Sequence, residues 1–170
     1  LRSRFSGGTF RLKFYEQDEI EEILKRSAKI LEVEVGDTAA KEISKRSRFT
    51  PRVANYLLKR CRDFAQVNRE TLSQDMVNKA LELLEIDELG LNSSDRKILD
   101  TIIEKFKGGP VGLSTIAAAT SEEQATIEEV HEPYLIQLGL LQRTPRGRMA
   151  TEAAYKHLGY DLPEGFQERL

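Results

Sequence analysis

The sequence carries two groups of basic side chains whose types and spacing suit phosphate binding. The shorter group is Arg143, Arg146 and Arg148, three arginines within six residues. Exposed like charges this close repel one another, and a polyanion relieves the repulsion. We therefore expect these residues to contact the sugar-phosphate backbone of nucleic acid, in preference to forming a merely soluble loop. Contacts of this kind position a protein without reading base sequence.

The longer group runs from Lys41 to Arg69 and holds nine basic residues against two acids. Most of it has the composition of a solvated helix face. Arg52 differs because it follows Thr50-Pro51, in the first turn of a predicted helix, where the helix dipole disfavours a cation. A helix start with free N–H groups and an arginine can grip a phosphate. Pairing of Arg52 with an acidic side chain is the alternative, and the sequence leaves both open.

Other chemistry-bearing patterns are incomplete. No G-x-x-x-x-G-K-[ST] phosphate loop occurs, and residues 108–112 (GGPVG) fit a helix-breaking turn better than a phosphate cradle. The carboxylate pairs Glu122-Glu123 and Glu128-Glu129 lie in polar helix sequence that would not separate their pKa values. His131 and His157 are expected to be packing or surface residues. The chain therefore shows no complete catalytic site, and one cysteine with two histidines is too few for a zinc cage.

Composition limits the functional classes. The 170 residues carry 26 Lys and Arg against 28 Asp and Glu, so no overall field recruits a polyanion and any such binding needs a local patch. The single Cys61 indicates a reducing compartment. No apolar run approaches the roughly 18 residues of a membrane span, so we expect a cytoplasmic protein without a membrane partner. Because the sequence opens at Leu1 in mid-pattern, we expect a piece of a longer protein.

The charge divides into two predicted modules. Residues 1–86 hold 17 Lys and Arg against 14 Asp and Glu, and residues 87–170 hold 9 against 14. In the first module, apolar residues recur at helical spacing from Ile20 to Leu31 and, after a break, from Ala39 to Ile43. Thr50 and Ser73 are predicted to cap two further helices. These patterns predict a four-helix module.

The second module predicts three helices followed by a hairpin. Helices are expected over 98–106, over 114–119 and from a capping box of Ser121 with Gln124 onward, the last bent by Pro133. Strands are expected over 140–144 and 148–151, and a helical turn over 153–158. This order describes a winged helix. Its third helix has five acids and no Lys or Arg between Thr120 and Gln142, so we expect phosphates to repel it and the wing to carry the contact.

Several segments resemble one known family. They are Leu1–Phe5, Arg11–Tyr15, Arg46–Asn55, Gly108–Leu113, Glu132–Gln137 and Arg143–Thr151. Together they resemble the C-terminal half of the RuvB family of Holliday-junction branch-migration ATPases. The resemblance implies a mainly α chain, in which 1–86 is the helical lid of an AAA+ ATPase and 87–170 a winged-helix DNA-binding domain with a small β-hairpin. The ATPase domain with its Walker motifs would lie upstream.

The resemblance also implies site roles. Arg52 is similar to the sensor-2 arginine that reaches nucleotide phosphates, Tyr15 to a residue lining the nucleotide pocket, and Arg4 to an arginine at the subunit interface. Arg143 and Arg148 resemble the wing contacts to DNA. Phe49 departs from the family, which usually has glycine before Thr-Pro-Arg.

A mechanism and partners are implied in the same way. The parent protein would use ATP and Mg²⁺, form a homohexamer through its large domain, bind duplex and four-way-junction DNA, and work with RuvA and RuvC. This chain alone is expected to hydrolyse no ATP. Two alternatives remain open: a winged-helix transcription regulator and a protein-binding winged-helix module.

Overall fold

The computed structural model describes residues 13–163. Contacts divide the chain into two compact units, and the division falls between Gly90 and Leu91. Each unit has its own apolar interior, as two layers of secondary structure around a core require.

The first unit is built from four helices. Their bounds are Gln17–Ile30 (α1), Asp37–Lys45 (α2), Pro51–Asn68 (α3) and Gln74–Leu83 (α4). The predicted caps of α3 and α4 are confirmed, because Thr50 Oγ1 accepts from Val53 N and Ser73 Oγ accepts from Met76 N. The four-helix prediction is therefore confirmed.

Apolar stripes of the four helices meet in one core. The largest contributors are completely or almost completely buried: Ile20, Leu24, Ile43, Leu57, Leu58, Met76 and Leu81. They recur every three or four residues along each helix, which is the spacing that places side chains on one face. The opposite faces stay in solvent and carry the charged residues.

The second unit holds three helices, a hairpin and a final helix. Helix α5 is Ser93–Asp100 and continues as a π-helical turn over Thr101–Lys105; α6 is Leu113–Thr120. Helix α7 runs as Gln124–Thr126, a π-helical turn Ile127–His131, and Glu132–Gln137. Strands β1 (Leu141–Thr144) and β2 (Gly147–Ala150) precede α8 (Glu152–Leu158). The predicted winged helix with a small β-hairpin is confirmed.

The glycine-rich segment after α5 lies beside the hairpin. Val111 N donates to Arg148 O at 2.9 Å, and Arg148 N donates to Val111 O at 2.8 Å. A Cβ on Gly147 would lie 2.4 Å from Val111 O, so only glycine permits this approach. The segment is thus more than the predicted turn, because its backbone adds a bridge to the wing.

One of the two local predictions in α7 needs correction. The capping box of Ser121 with Gln124 is wrong, because Ser121 has φ 60° and ends α6, and the residue preceding α7 is Glu123. The left-handed backbone at Ser121 is typical of a helix end, whereas an N-cap residue needs extended backbone. Pro133 lies in the first turn of Glu132–Gln137, the segment that follows the π-helical turn, and the bend expected there stays a prediction.

Candidate nucleic-acid interface

The β1–β2 hairpin presents its turn to solvent. Thr144 pairs with Gly147, which leaves Pro145 and Arg146 as the two turn residues. The Thr144 hydroxyl donates to Gly147 O at 2.8 Å and accepts from Arg146 N at 3.3 Å. Arg146 is exposed, and its side chain has no ion pair or hydrogen bond within residues 13–163. The turn therefore offers a fixed backbone and one available guanidinium.

The other two arginines of the wing face each other across the hairpin. Arg143 on β1 is the register partner of Arg148 on β2. Side chains of opposing residues lie on the same face of a two-stranded sheet, and like charges placed there destabilise it. Two guanidinium groups in this arrangement require counter-charges from elsewhere in the fold.

Helix α7 supplies both counter-charges. Glu128 Oε1 lies 2.8 Å from Arg143 Nη2 and 3.8 Å from Arg148 Nη2. Glu132 Oε2 lies 3.0 Å from Arg148 Nη2, and its Oε1 lies 3.7 Å from Arg143 Nε. We call these four residues the wing charge cluster. It contains two cations and two anions, so its formal charge is zero.

The two acids of the cluster differ in their access to solvent. The Glu132 side chain is 2% exposed and holds an Arg148 side chain that is only 12% exposed. The Glu128 side chain is 43% exposed, and its partner Arg143 is 57% exposed. The inner pair therefore attaches the wing to α7, while the outer pair lies where a ligand can reach it.

The expected repulsion of α7 by phosphates stays a prediction, and the structure adds a role that the sequence analysis did not predict, because acids of α7 pair with the wing. Two of its three acids, Glu128 and Glu132, bind the wing arginines. Glu122, which precedes the helix, accepts from the Ser94 hydroxyl at 3.1 Å. The sequence signal for this role was the four-residue spacing of Glu128 and Glu132, which places both on one helix face. Their partners lie some 15 residues further along the chain, so local patterns did not identify them.

A buried polar pair fixes α7 against α5. His131 Nδ1 and Asp95 Oδ1 are 2.7 Å apart, and both side chains are buried. Asp95 also accepts from Asn92 N at 2.9 Å and closes the capping box of α5. The histidine thus has a packing position, as the sequence predicted, next to the glutamate that binds Arg148.

The second predicted phosphate contact lies in the first unit. Arg52 is exposed at the second position of α3, and it forms no ion pair within the described residues. Thr50 accepts from the N–H of Val53 and Pro51 has no N–H, so the N–H of Arg52 is the one first-turn donor before Val53 that has no hydrogen bond within the described residues. The alternative that Arg52 pairs with an acid finds no partner in the part of the chain that the structure describes.

Tyr15 is placed beside the start of the same helix. Its backbone N donates to Phe49 O at 3.3 Å, and its side chain is 44% exposed. Phe49 has φ 54°, a conformation that glycine adopts at lower cost, which gives a physical reason for the glycine usual in the resembled family. Two of the three residues predicted to contact a nucleotide, Arg52 and Tyr15, thus lie at or beside the start of α3. Arg4 lies outside the described residues.

Within the described residues, neither the single cysteine nor the metal-binding residue types form a second site. Burial raises the pKa of the Cys61 thiol to about 12, which keeps it protonated and inert. Within residues 13–163 no group of three or more His, Cys, Asp and Glu side chains could hold a metal ion. No helix of that range is long and apolar enough to cross a membrane.

Two domain models match consecutive parts of the chain. Residues 15–87 match the RuvB AAA lid domain, and residues 88–159 match the RuvB C-terminal winged helix domain. Together they account for nearly all the residues that form helices and strands.

Individual proteins are similar over the same range. The Holliday junction branch migration complex subunits RuvB of Trichormus variabilis and of Nostoc sp. are each 57% identical over 164 residues, 96% of this chain and 44% of each relative. The chain therefore spans less than half the length of these relatives. The solved structure of the Thermotoga maritima RuvB Holliday junction branch migration motor matches 95% of the chain, and 54% of that protein, at 53% identity and a TM-score of 0.91.

Proposed function

Because the chain belongs to the RuvB family and corresponds to its lid and winged-helix domains, we propose that it is the C-terminal part of an ATP-dependent branch-migration motor. In this role the winged helix grips DNA at Holliday junctions, and the lid contributes residues that sense the nucleotide. The two family models together match residues 15–159. A transcription regulator is not favoured, because α7 is acidic and two of its acids are engaged by the wing.

The wing is the element that we assign to DNA. The observation that carries the assignment is the exposed Arg146, which has no ion pair within residues 13–163, at a turn held by the Thr144 hydroxyl and next to the half-exposed Arg143. Guanidinium groups bind phosphate oxygens in a forked geometry without reading bases. Direct contact of Arg148 with DNA stays a prediction, and its 12% exposure favours a role in positioning the wing.

The lid is the element that we assign to nucleotide sensing. Arg52 stands at the N-terminus of an 18-residue helix, where its charge lacks a counter-ion within the described residues. A nucleotide phosphate would supply that counter-ion and could accept from the backbone N–H of Arg52 at the helix N-terminus. Tyr15 is the proposed pocket residue beside it, and Arg4 the proposed contact from the subunit interface. ATP with Mg²⁺ belongs to the parent protein, since this sequence contains no phosphate-loop motif.

The assembly follows from the family as a proposal. We propose that the parent forms a homohexamer through its large domain, acts with RuvA and RuvC, and works in the cytoplasm. The bound substrates would be duplex and four-way-junction DNA. Tracking of the backbone by the wing explains how such a motor can move along any sequence.

The experiment is DNA binding by the 170-residue chain, measured by fluorescence anisotropy on a 20-base-pair duplex and a four-way junction. We expect weak binding that ignores base sequence and falls steeply with salt. Arg146→Ala and Arg143→Ala should each weaken it, whereas Lys59→Ala, an exposed cation of α3, should not. If the unsubstituted 170-residue chain and both wing variants bind DNA with equal affinity, the assignment of the wing to DNA binding is refuted.

A further inference from the structure

Glu128 pairs with a guanidinium group that the proposed function assigns to DNA. Its Oε1 is 2.8 Å from Arg143 Nη2, and both side chains are about half exposed. A carboxylate and a phosphate present similar oxygen pairs to a guanidinium, so both cannot occupy the same face of Arg143. We propose that Glu128 is an internal competitor that lowers the affinity of the wing for DNA, and that binding exchanges Glu128 for a backbone phosphate. This inference rests on the proposed function of the wing.

The cluster separates the exchangeable pair from the permanent one. Glu132 is buried and keeps Arg148 through the 3.0 Å contact, so releasing it would leave a buried charge without a partner. Glu128 has solvent on one side and is a weak partner, as exposed ion pairs are. Arg143 also keeps its Nε 3.7 Å from Glu132 Oε1, a carboxylate oxygen that has no hydrogen bond. Arg143 can therefore turn toward DNA while the wing stays attached to α7.

Competition has a signature in salt dependence. An arginine that neutralises a phosphate releases a condensed counterion and adds about 0.9 to the salt slope. If Glu128 is set free in the same step, it recruits a cation from solution, which offsets part of that release. Removing the Glu128 charge abolishes the offset. The affinity at low salt and the steepness of its loss with salt should then rise together.

The central variant is Glu128→Gln, which keeps the side-chain shape and removes the charge. Its matched control is Glu129→Gln, which removes the same charge from the neighbouring exposed position, where the structure gives no ion pair within residues 13–163. Binding of the 170-residue chain to a 20-base-pair duplex is measured between low and high salt. Thermal unfolding of each variant confirms an intact fold.

We expect Glu128→Gln to tighten duplex binding by about two- to fivefold, the size of an exposed ion pair, and to steepen the salt slope by up to about 0.9. Glu129→Gln should change affinity by less than half as much and leave the slope nearly unaltered. In an Arg143→Ala background the effect of Glu128→Gln should largely vanish, because no arginine is left to release.

The outcomes separate this inference from the function beneath it. Equal effects of Glu128→Gln and Glu129→Gln, or an undiminished gain in the Arg143→Ala background, would mean general repulsion and would overturn the competition. Unchanged affinity in Glu128→Gln while Arg143→Ala weakens binding would overturn it and leave the wing assignment intact. If neither the unsubstituted 170-residue chain nor any of its variants binds duplex at low salt, both the proposed function and this inference fail.

Discussion

Arg52 of the first unit and the arginine pair Arg143 and Arg148 of the second unit have opposite surroundings. Arg52 in the first unit opens a helix, faces solvent and has no counter-ion within the described residues. Arg143 and Arg148 in the second unit oppose each other on a hairpin and are neutralised by two carboxylates of α7. The comparison teaches that the number of arginines in a segment does not measure the charge it offers to a phosphate. What counts is how many of them the fold leaves without a partner.

The comparison would break most clearly at Arg148. Arg148→Ala leaves the buried Glu132 without its nearest cation, so we expect the second unit to lose about 3 kcal/mol of its stability. Native-state hydrogen exchange of the β1 and β2 amides measures this loss, with the α3 amides as an internal control. Arg146→Ala, at the unpaired turn position, should change exchange by less than about 0.5 kcal/mol. If the β1 and β2 amides are equally protected from exchange in Arg148→Ala and in the unsubstituted chain, the ion pair of Arg148 with Glu132 does not hold the wing.

At Arg52 the opposite sign is expected. A cation in the first turn opposes the helix dipole, so Arg52→Ala should stabilise α3 by about 0.3–0.5 kcal/mol. The measurement is exchange of the α3 amides, and Lys59→Ala in the middle of the same helix is the control. A loss of stability in Arg52→Ala would mean that the side chain makes a favourable contact. Arg52 would then resemble the paired arginines of the wing.

The smallest expected effect is the pH dependence of the stability of the second unit, which we attribute to Asp100 at the end of α5. Burial raises the pKa of Asp100 above its ordinary value of 3.8, the Glu104 charge adds to the rise, and a hydrogen bond from the Tyr160 hydroxyl opposes it. The folded unit therefore binds this proton more tightly than the unfolded chain. The resulting stability is present below about pH 3.8 and is lost as the pH rises through the folded value.

Asp100→Asn cannot ionise, so we expect it to melt at a slightly higher temperature than the parent at pH 7, with the difference shrinking toward pH 4 and below. Tyr160→Phe removes the opposing hydrogen bond and should deepen the loss with rising pH. Thermal unfolding across this pH range checks both variants. A pH-independent difference between Asp100→Asn and the parent would point to packing instead of ionisation.

Most of the helical architecture could be predicted locally. The stripe of α1, the Thr50 and Ser73 caps and the strand-turn-strand pattern around Pro145 are all written in residues a few positions apart. Local signals are ambiguous where one residue serves two purposes, which is why Ser121 ends α6 although its spacing to Gln124 resembled a cap. The resemblance to RuvB added the domain identities that periodicity alone does not supply.

Only part of the candidate site could be predicted from local sequence patterns. The basic hairpin was recognisable because its three arginines are neighbours in sequence. Its charge balance was not, because the partners lie on another helix and their meeting depends on how β1 packs against α7. The same holds for the two glycines before Val111: a Cβ on Gly109 would meet the backbone of β2 at Arg148 O, and one on Gly108 would meet the Tyr155 side chain of α8.

The sequence by itself determined the helices, the hairpin, the family and the positions of the basic side chains, because these follow from short-range spacing and residue type. Only the tertiary structure decided which arginines remain available, since an ion pair forms between atoms brought together by packing. From the sequence alone, Glu128 and Glu132 are predicted only to repel DNA phosphates. In the folded unit they are the counter-ions that hold two of the three wing arginines.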